Sequence, residues 1–164
     1  MTQHPPASHS PQATPPIPQL IRTLGHAGLI PFFGLALLAW VVNEQALPYV
    51  ALILVAYAAL IASFLGGIHW GVAWLNDMGA THVPVSDAAA AQHLKWGVAP
   101  ALLAWPGVLM PAYAALPWLG TLLIVCYLVD RRLYASAGLM HWLNLRFRLS
   151  AGASLSCFLA AGAV

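Results

Sequence analysis

Between Trp96 and Val129 the chain runs for 34 residues without an Asp, Glu, Lys or Arg. A second such run, Leu47 to Leu75, is 29 residues long. Segments like these cannot cover a water-exposed surface. A bilayer core about 30 Å thick needs about 20 mostly apolar residues per spanning helix. In lipid the backbone must satisfy its own polar groups, which helices do within one segment. Composition points the same way: 61% of residues are hydrophobic and 6% charged, whereas soluble domains carry about 25% charged residues. The expected fold is all-α, an integral membrane bundle.

As one helix, Trp96 to Val129 would be about 51 Å long, too long for one crossing. It contains Pro106, Pro111 and Pro117, which kink or break helices. Two helices joined near Met110 to Ala115 fit better. The spans are therefore read as about 24–42, 47–75, 96–111, 114–129 and 149–164. Five transmembrane helices result, with four as the alternative because the last stretch is short and weakly apolar. Residues 1–19, which hold six prolines and no Lys or Arg, read as a disordered Pro-rich tail rather than a signal peptide. Residues 20–164 form the helical domain.

Charge tests that count. With five spans all six basic residues, Arg22, Lys95, Arg131, Arg132, Arg146 and Arg148, fall on one side, and Glu44 is the only charge on the other. The positive-inside rule makes the basic side cytoplasmic and puts the N-terminus there. Trp70, Trp74, Trp96 and Trp142 fall near that interface, Trp40 and Trp118 near the other, and Trp105 is expected to pack between helices. Arg131, Arg132, Arg146 and Arg148 read as cytoplasmic basic anchors, in a segment Asp130 to Arg148 suited to lie on an anionic leaflet. A net charge of +2 offers no dense basic face for nucleic acid. Cys126 and Cys157 lie in apolar stretches and read as small packing residues.

Within lipid, close approach of small residues drives helix association. Ala59, Ser63, Gly67 and Gly71, four apart, are read as the packing face of a central second helix, or alternatively as a face for a partner helix or a second copy. His69 and Asn76 share another face of that helix and are the buried polar candidates, because ionisable groups in a span need partners away from lipid. A haem between two helices would need two facing histidines, and His69 with His26 is the pair to consider. His82 and His93 are placed in a loop with Asp77 and Asp87, at a spacing that matches no zinc pattern.

The run Leu24-Gly25-His26-Ala27-Gly28-Leu29-Ile30-Pro31-Phe32, the run Ser63-Phe64-Leu65-Gly66-Gly67-Ile68-His69-Trp70-Gly71, the triplet Asp130-Arg131-Arg132 and the basic Trp142 to Arg148 segment resemble a known family. It is the domain of unknown function 3429 family of small multi-pass membrane proteins, the transmembrane protein 69-like group. The resemblance covers about residues 20 to 164. It implies a multi-helix fold and a bacterial inner-membrane or mitochondrial inner-membrane location. It carries over no catalytic residue.

The chain has no Gly-rich phosphate loop, nucleophile triad, paired carboxylates or HExxH motif, which argues against an enzyme. The leading functional reading is a non-enzymatic structural or accessory subunit that associates with other membrane proteins, such as those of a respiratory complex, and needs no cofactor. The alternatives are a haem- or other cofactor-binding redox protein using His69, and a small transporter or channel.

Overall fold

The computed structural model describes residues 16–80 and 84–164. The tail up to residue 15 and His82 lie outside the described residues. Among the described residues there are six α-helices: α1 (Ile17–Ala27), α2 (Ile30–Val41), α3 (Leu47–Asp77), α4 (Asp87–Leu109), α5 (Ala112–Ser136) and α6 (Leu143–Ala161), with one 3₁₀ turn at Met140–Trp142. No strand occurs among the described residues. The protein is an all-helical membrane bundle of five rods, in which α1 and α2 together make the first. Ile17–Val41, Leu47–Asp77 and Ala112–Ser136 are long and apolar enough to cross a membrane by length and composition. The other two rods are more polar in composition. α4 has a polar first half and two internal prolines, and α6 is rich in Ala, Ser and Gly.

Several boundaries differ from the sequence reading, each for a local reason. The first rod starts at Ile17, inside the expected tail, because Pro18 sits in the first turn of α1, where its missing N–H costs nothing. It is interrupted at Gly28 and Leu29, since Pro31 cannot continue a helix from α1. α4 begins at Asp87 rather than Trp96. Ser86 caps it, its hydroxyl accepting from the Ala89 N–H at 3.3 Å. α5 runs through Asp130, Arg131 and Arg132 to Ser136, and α6 starts at Leu143, so both arginine pairs are helical. Only residues 137–142 remain between them, with the 3₁₀ turn Met140–Trp142. Trp105 is 66% exposed and does not pack between helices.

α3 is the central helix. It packs against α4 along most of its length, and also against α2, α5 and α6. The core is built from Phe32 and Ala36 of α2, Leu54, Ala58 and Ala62 of α3, Ala104 of α4, Leu116, Leu119 and Leu123 of α5, and Ala153 and Cys157 of α6. Outward-facing Leu, Ile, Phe and Trp side chains cover much of the remaining surface, as lipid contact requires.

The small-residue packing face lies elsewhere on α3 than expected. The buried residues there are Ala58, Ala62, Leu65, Gly66, His69 and Ala73, at spacings of three and four. A strict four-residue step turns 400°, so it drifts about 40° per step round the helix. Ala59 is therefore buried, Ser63 half-buried and Gly67 exposed. A Cβ on Gly67 or Gly71 would meet nothing within 4 Å, whereas one on Gly66 would overlap the carbonyl of Gly97 in α4. A Cβ on Gly97 would overlap the indole of Trp70. The backbones of α3 and α4 touch at these two glycines.

Candidate functional site

The contact at Gly66 and Gly97 sets the depth of two histidines. His69 lies three residues after Gly66 and His93 four residues before Gly97, so both project from the glycine face one turn away. Their Nδ1 atoms stand 2.8 Å apart and both side chains are fully buried. His93 thus belongs to a helix and not to a loop. His69 pairs with it rather than with His26, which is exposed and bonded through Nδ1 to the carbonyl of Arg22 at 2.7 Å.

α5 and α6 complete the cluster. His69 Nε2 donates to Asp130 Oδ1 at 2.8 Å, and the Trp96 indole N–H donates to the same oxygen at 3.2 Å. Arg146 donates to Asp130 Oδ2 through Nε at 2.7 Å and Nη2 at 2.5 Å. The carboxylate therefore receives four donors, which matches its lone-pair capacity. Asp130 is 1% exposed and Arg146 6%. The Tyr134 ring lies 5.8 Å from that of His69. Beyond His93, Nε2 faces the hydroxyl of Ser136 at 3.5 Å, and that hydroxyl donates to the Leu133 carbonyl at 2.7 Å.

This places the candidate residues as follows. Arg146 is not a membrane-surface anchor. Its guanidinium turns inward to neutralise Asp130, while Arg131, Arg132 and Arg148 stay exposed. Asn76 is not part of the polar cluster either. Its amide donates to the Val85 carbonyl at 3.0 Å and its oxygen accepts from the Val85 N–H at 2.8 Å, which ties the end of α3 to the approach to α4. Asp130, His93 and Trp96 are the members that the sequence reading missed. The available signal was their spacing: His93 and Trp96 share one face of α4 at i and i+3, and Asp130 directly follows the long uncharged run Trp96 to Val129. The helix-start signal at Ser86 and Asp87 was also in the sequence, and following it through to Trp96 would have given His93 a helix face.

Both nitrogens of His69 are engaged by side chains, which leaves none to ligate iron while this geometry holds. Among the described residues no three His, Cys, Asp or Glu side chains are placed to hold a metal ion. The arrangement can hold a proton. One proton serves the Nδ1–Nδ1 contact. With His93 Nδ1–H donating to His69, both imidazoles are neutral and His93 Nε2 is bare. With a proton added, His69 is an imidazolium against Asp130, His69 Nδ1–H donates to His93, and His93 Nε2–H points at Ser136. The same heavy-atom positions accommodate both states.

The chain matches, over residues 17–162, a family described as a protein of unknown function (DUF3429). The chain belongs to that family. It is similar to transmembrane protein 69 of Xenopus tropicalis, with 42% identity over 88 residues, which is 52% of this chain and 31% of that protein. The chain thus aligns with about a third of the length of that relative. No solved structure matches it.

Proposed function

We propose that this is a non-enzymatic accessory membrane protein whose working element is a proton-accepting centre at His69 and His93. The observation that carries this reading is the 2.8 Å Nδ1–Nδ1 contact, with the Asp130 carboxylate on the other nitrogen of His69. Ionisable groups inside membrane bundles are costly, and they mark ion pathways and proton relays. Histidine changes charge between about pH 5 and pH 8. The reading is tested in lipid nanodiscs by following the ¹⁵N imidazole resonances of the histidines against pH. His69 and His93, assigned from His69→Gln and His93→Gln, are expected to titrate together as a single one-proton event. If both rings keep one unchanged neutral pattern throughout, the cluster only pins helices together.

The accessory role rests on a different observation. Gly67 and Gly71 form a small-residue face on the central helix where an added Cβ would meet nothing within 4 Å among the described residues, and such faces let a second helix approach closely. Other integral membrane proteins, such as respiratory-complex subunits of a bacterial or mitochondrial inner membrane, are the expected partners. Affinity purification in mild detergent tests this: recovery of a lone monomer, unaltered by Gly67→Leu, would count against it.

A further inference from the structure

We infer that the centre exchanges its proton with one side of the membrane only, the side carrying the basic residues, through His93 Nε2 and the Ser136 hydroxyl. This deepens the proton-accepting reading and rests on it. Of the four imidazole nitrogens, three are consumed inside the cluster: the two Nδ1 atoms by each other and His69 Nε2 by Asp130. Only His93 Nε2 is left to take or give a proton, and the polar atom facing it is Ser136 Oγ. Ser136 is exposed and is the last residue of α5. That end of the bundle also holds the start of α4 at Asp87, the start of α6 at Leu143 and the exposed Lys95, Arg131, Arg132 and Arg148.

The opposite direction is closed. Above the cluster, α5 contributes Cys126, Leu123 and Leu119, α3 contributes Leu65, Ala62 and Ala58, and α6 contributes Ala153 and Cys157, all buried. One polar line does leave the centre: Ser150 and Ser154 follow Arg146 at four-residue steps on α6. Their hydroxyls have no hydrogen-bond partner, and they stand behind a guanidinium, which does not give up its proton. Arg146 and Tyr134 also line a lateral crevice of about 480 Å³ between α1, α3, α5 and α6, whose other walls are mainly apolar, among them Ile21, Phe64, Ile68 and Leu149, and neither group bonds the free His93 Nε2. The groups facing the histidine pair are thus Trp96 on α4, Asp130, Tyr134 and Ser136 on α5, and Arg146 on α6. Of these described residues, Ser136 is the exposed one, and it faces the one imidazole nitrogen that the cluster leaves free.

The proton balance is closed. On release, the proton on His93 Nε2 leaves past Ser136, the His69 Nδ1 proton passes to His93 Nδ1, and His69 returns to neutral with Nε2–H still on Asp130. One proton leaves and no electron moves.

The test uses the full chain, incorporated with one orientation in liposomes, and a rapid pH jump on either face. The readout is tryptophan emission, with Trp96→Phe identifying the signal of the indole on Asp130. A jump on the basic side is expected to change that emission promptly, and a jump on the other side to leave it unchanged until the two compartments equilibrate. Ser136→Val is expected to slow the response severalfold. A prompt response from the opposite side, an equal response from both, or a steady proton flux across the membrane overturns one-sided access while leaving proton uptake standing. No response from either side, with His69→Gln indistinguishable from the parent, overturns the proton-accepting reading itself.

Discussion

His69 and His93 meet nitrogen to nitrogen, Nδ1 to Nδ1, at 2.8 Å, across 24 positions of sequence. Two acceptors at that distance need a proton between them, so each ring fixes the tautomer of the other. His93→Phe leaves His69 Nδ1 buried without a partner. It should cost about 1–3 kcal/mol, the penalty for an unsatisfied buried group. His93→Gln, which can still offer a donor or an acceptor, should recover part of that loss. Thermal unfolding in a single detergent compares the two, and equal destabilisation would show that the nitrogen contact contributes nothing beyond volume.

Asp130 and Arg146 form a pair that is expensive to break and cheaper to remove. Asp130→Asn alone strands a buried guanidinium and should cost about 3–5 kcal/mol, whereas replacing both partners by apolar residues strands only the N–H groups of His69 and Trp96 and should cost less than the sum of the two single changes. The measurement is a double-mutant cycle with Asp130→Leu and Arg146→Met. Additive losses would mean that the ion pair carries no coupling.

Adjacent glycines on α3 should respond in opposite directions. Gly66→Ala drives a methyl into the Gly97 carbonyl and should destabilise the bundle by about 1–3 kcal/mol. Gly67→Ala meets open space and should gain about 0.5–1 kcal/mol from helix propensity. Equal melting temperatures for the two variants would refute the α3–α4 crossing at Gly66.

Cys126 and Cys157 are both buried and unpaired. In the folded protein neither should react with a maleimide over minutes, while both should react once the bundle is unfolded in a denaturing detergent. Intact mass after quenching counts the labels. Prompt labelling of the native protein would mean that α5 and α6 do not pack as described.

The membrane class was readable from charge alone, because a run such as Trp96 to Val129 has no soluble alternative. The turn at Met110 and Pro111 was readable too, from its prolines. The first rod was less so: its break at Gly28 and Leu29 depends on Pro31, which a hydropathy window averages away. The site was hardest to see. Asp130 and Arg146 look like topology signals when charges are counted by loop, and only the extension of α5 and α6 past the apolar runs brings them inside. His69 stood out as an intramembrane histidine, but its partner comes from another helix, and pairing across helices is decided by rotation. On α3 the four-residue ridge through Gly67 misjudged that rotation; the buried stripe runs through Gly66.

The contact between Gly66 and Gly97 also yields a signature that can be sought in other sequences. Two helices that cross backbone to backbone and place histidines side by side one turn away must carry Gly-x-x-His on the first and His-x-x-x-Gly on the second. In this chain those are Gly66 to His69 and His93 to Gly97, followed by an acid and an arginine 16 residues apart on the next two helices. A chain with both histidines but a larger residue at either glycine would hold the helices further apart and could not close the nitrogen contact.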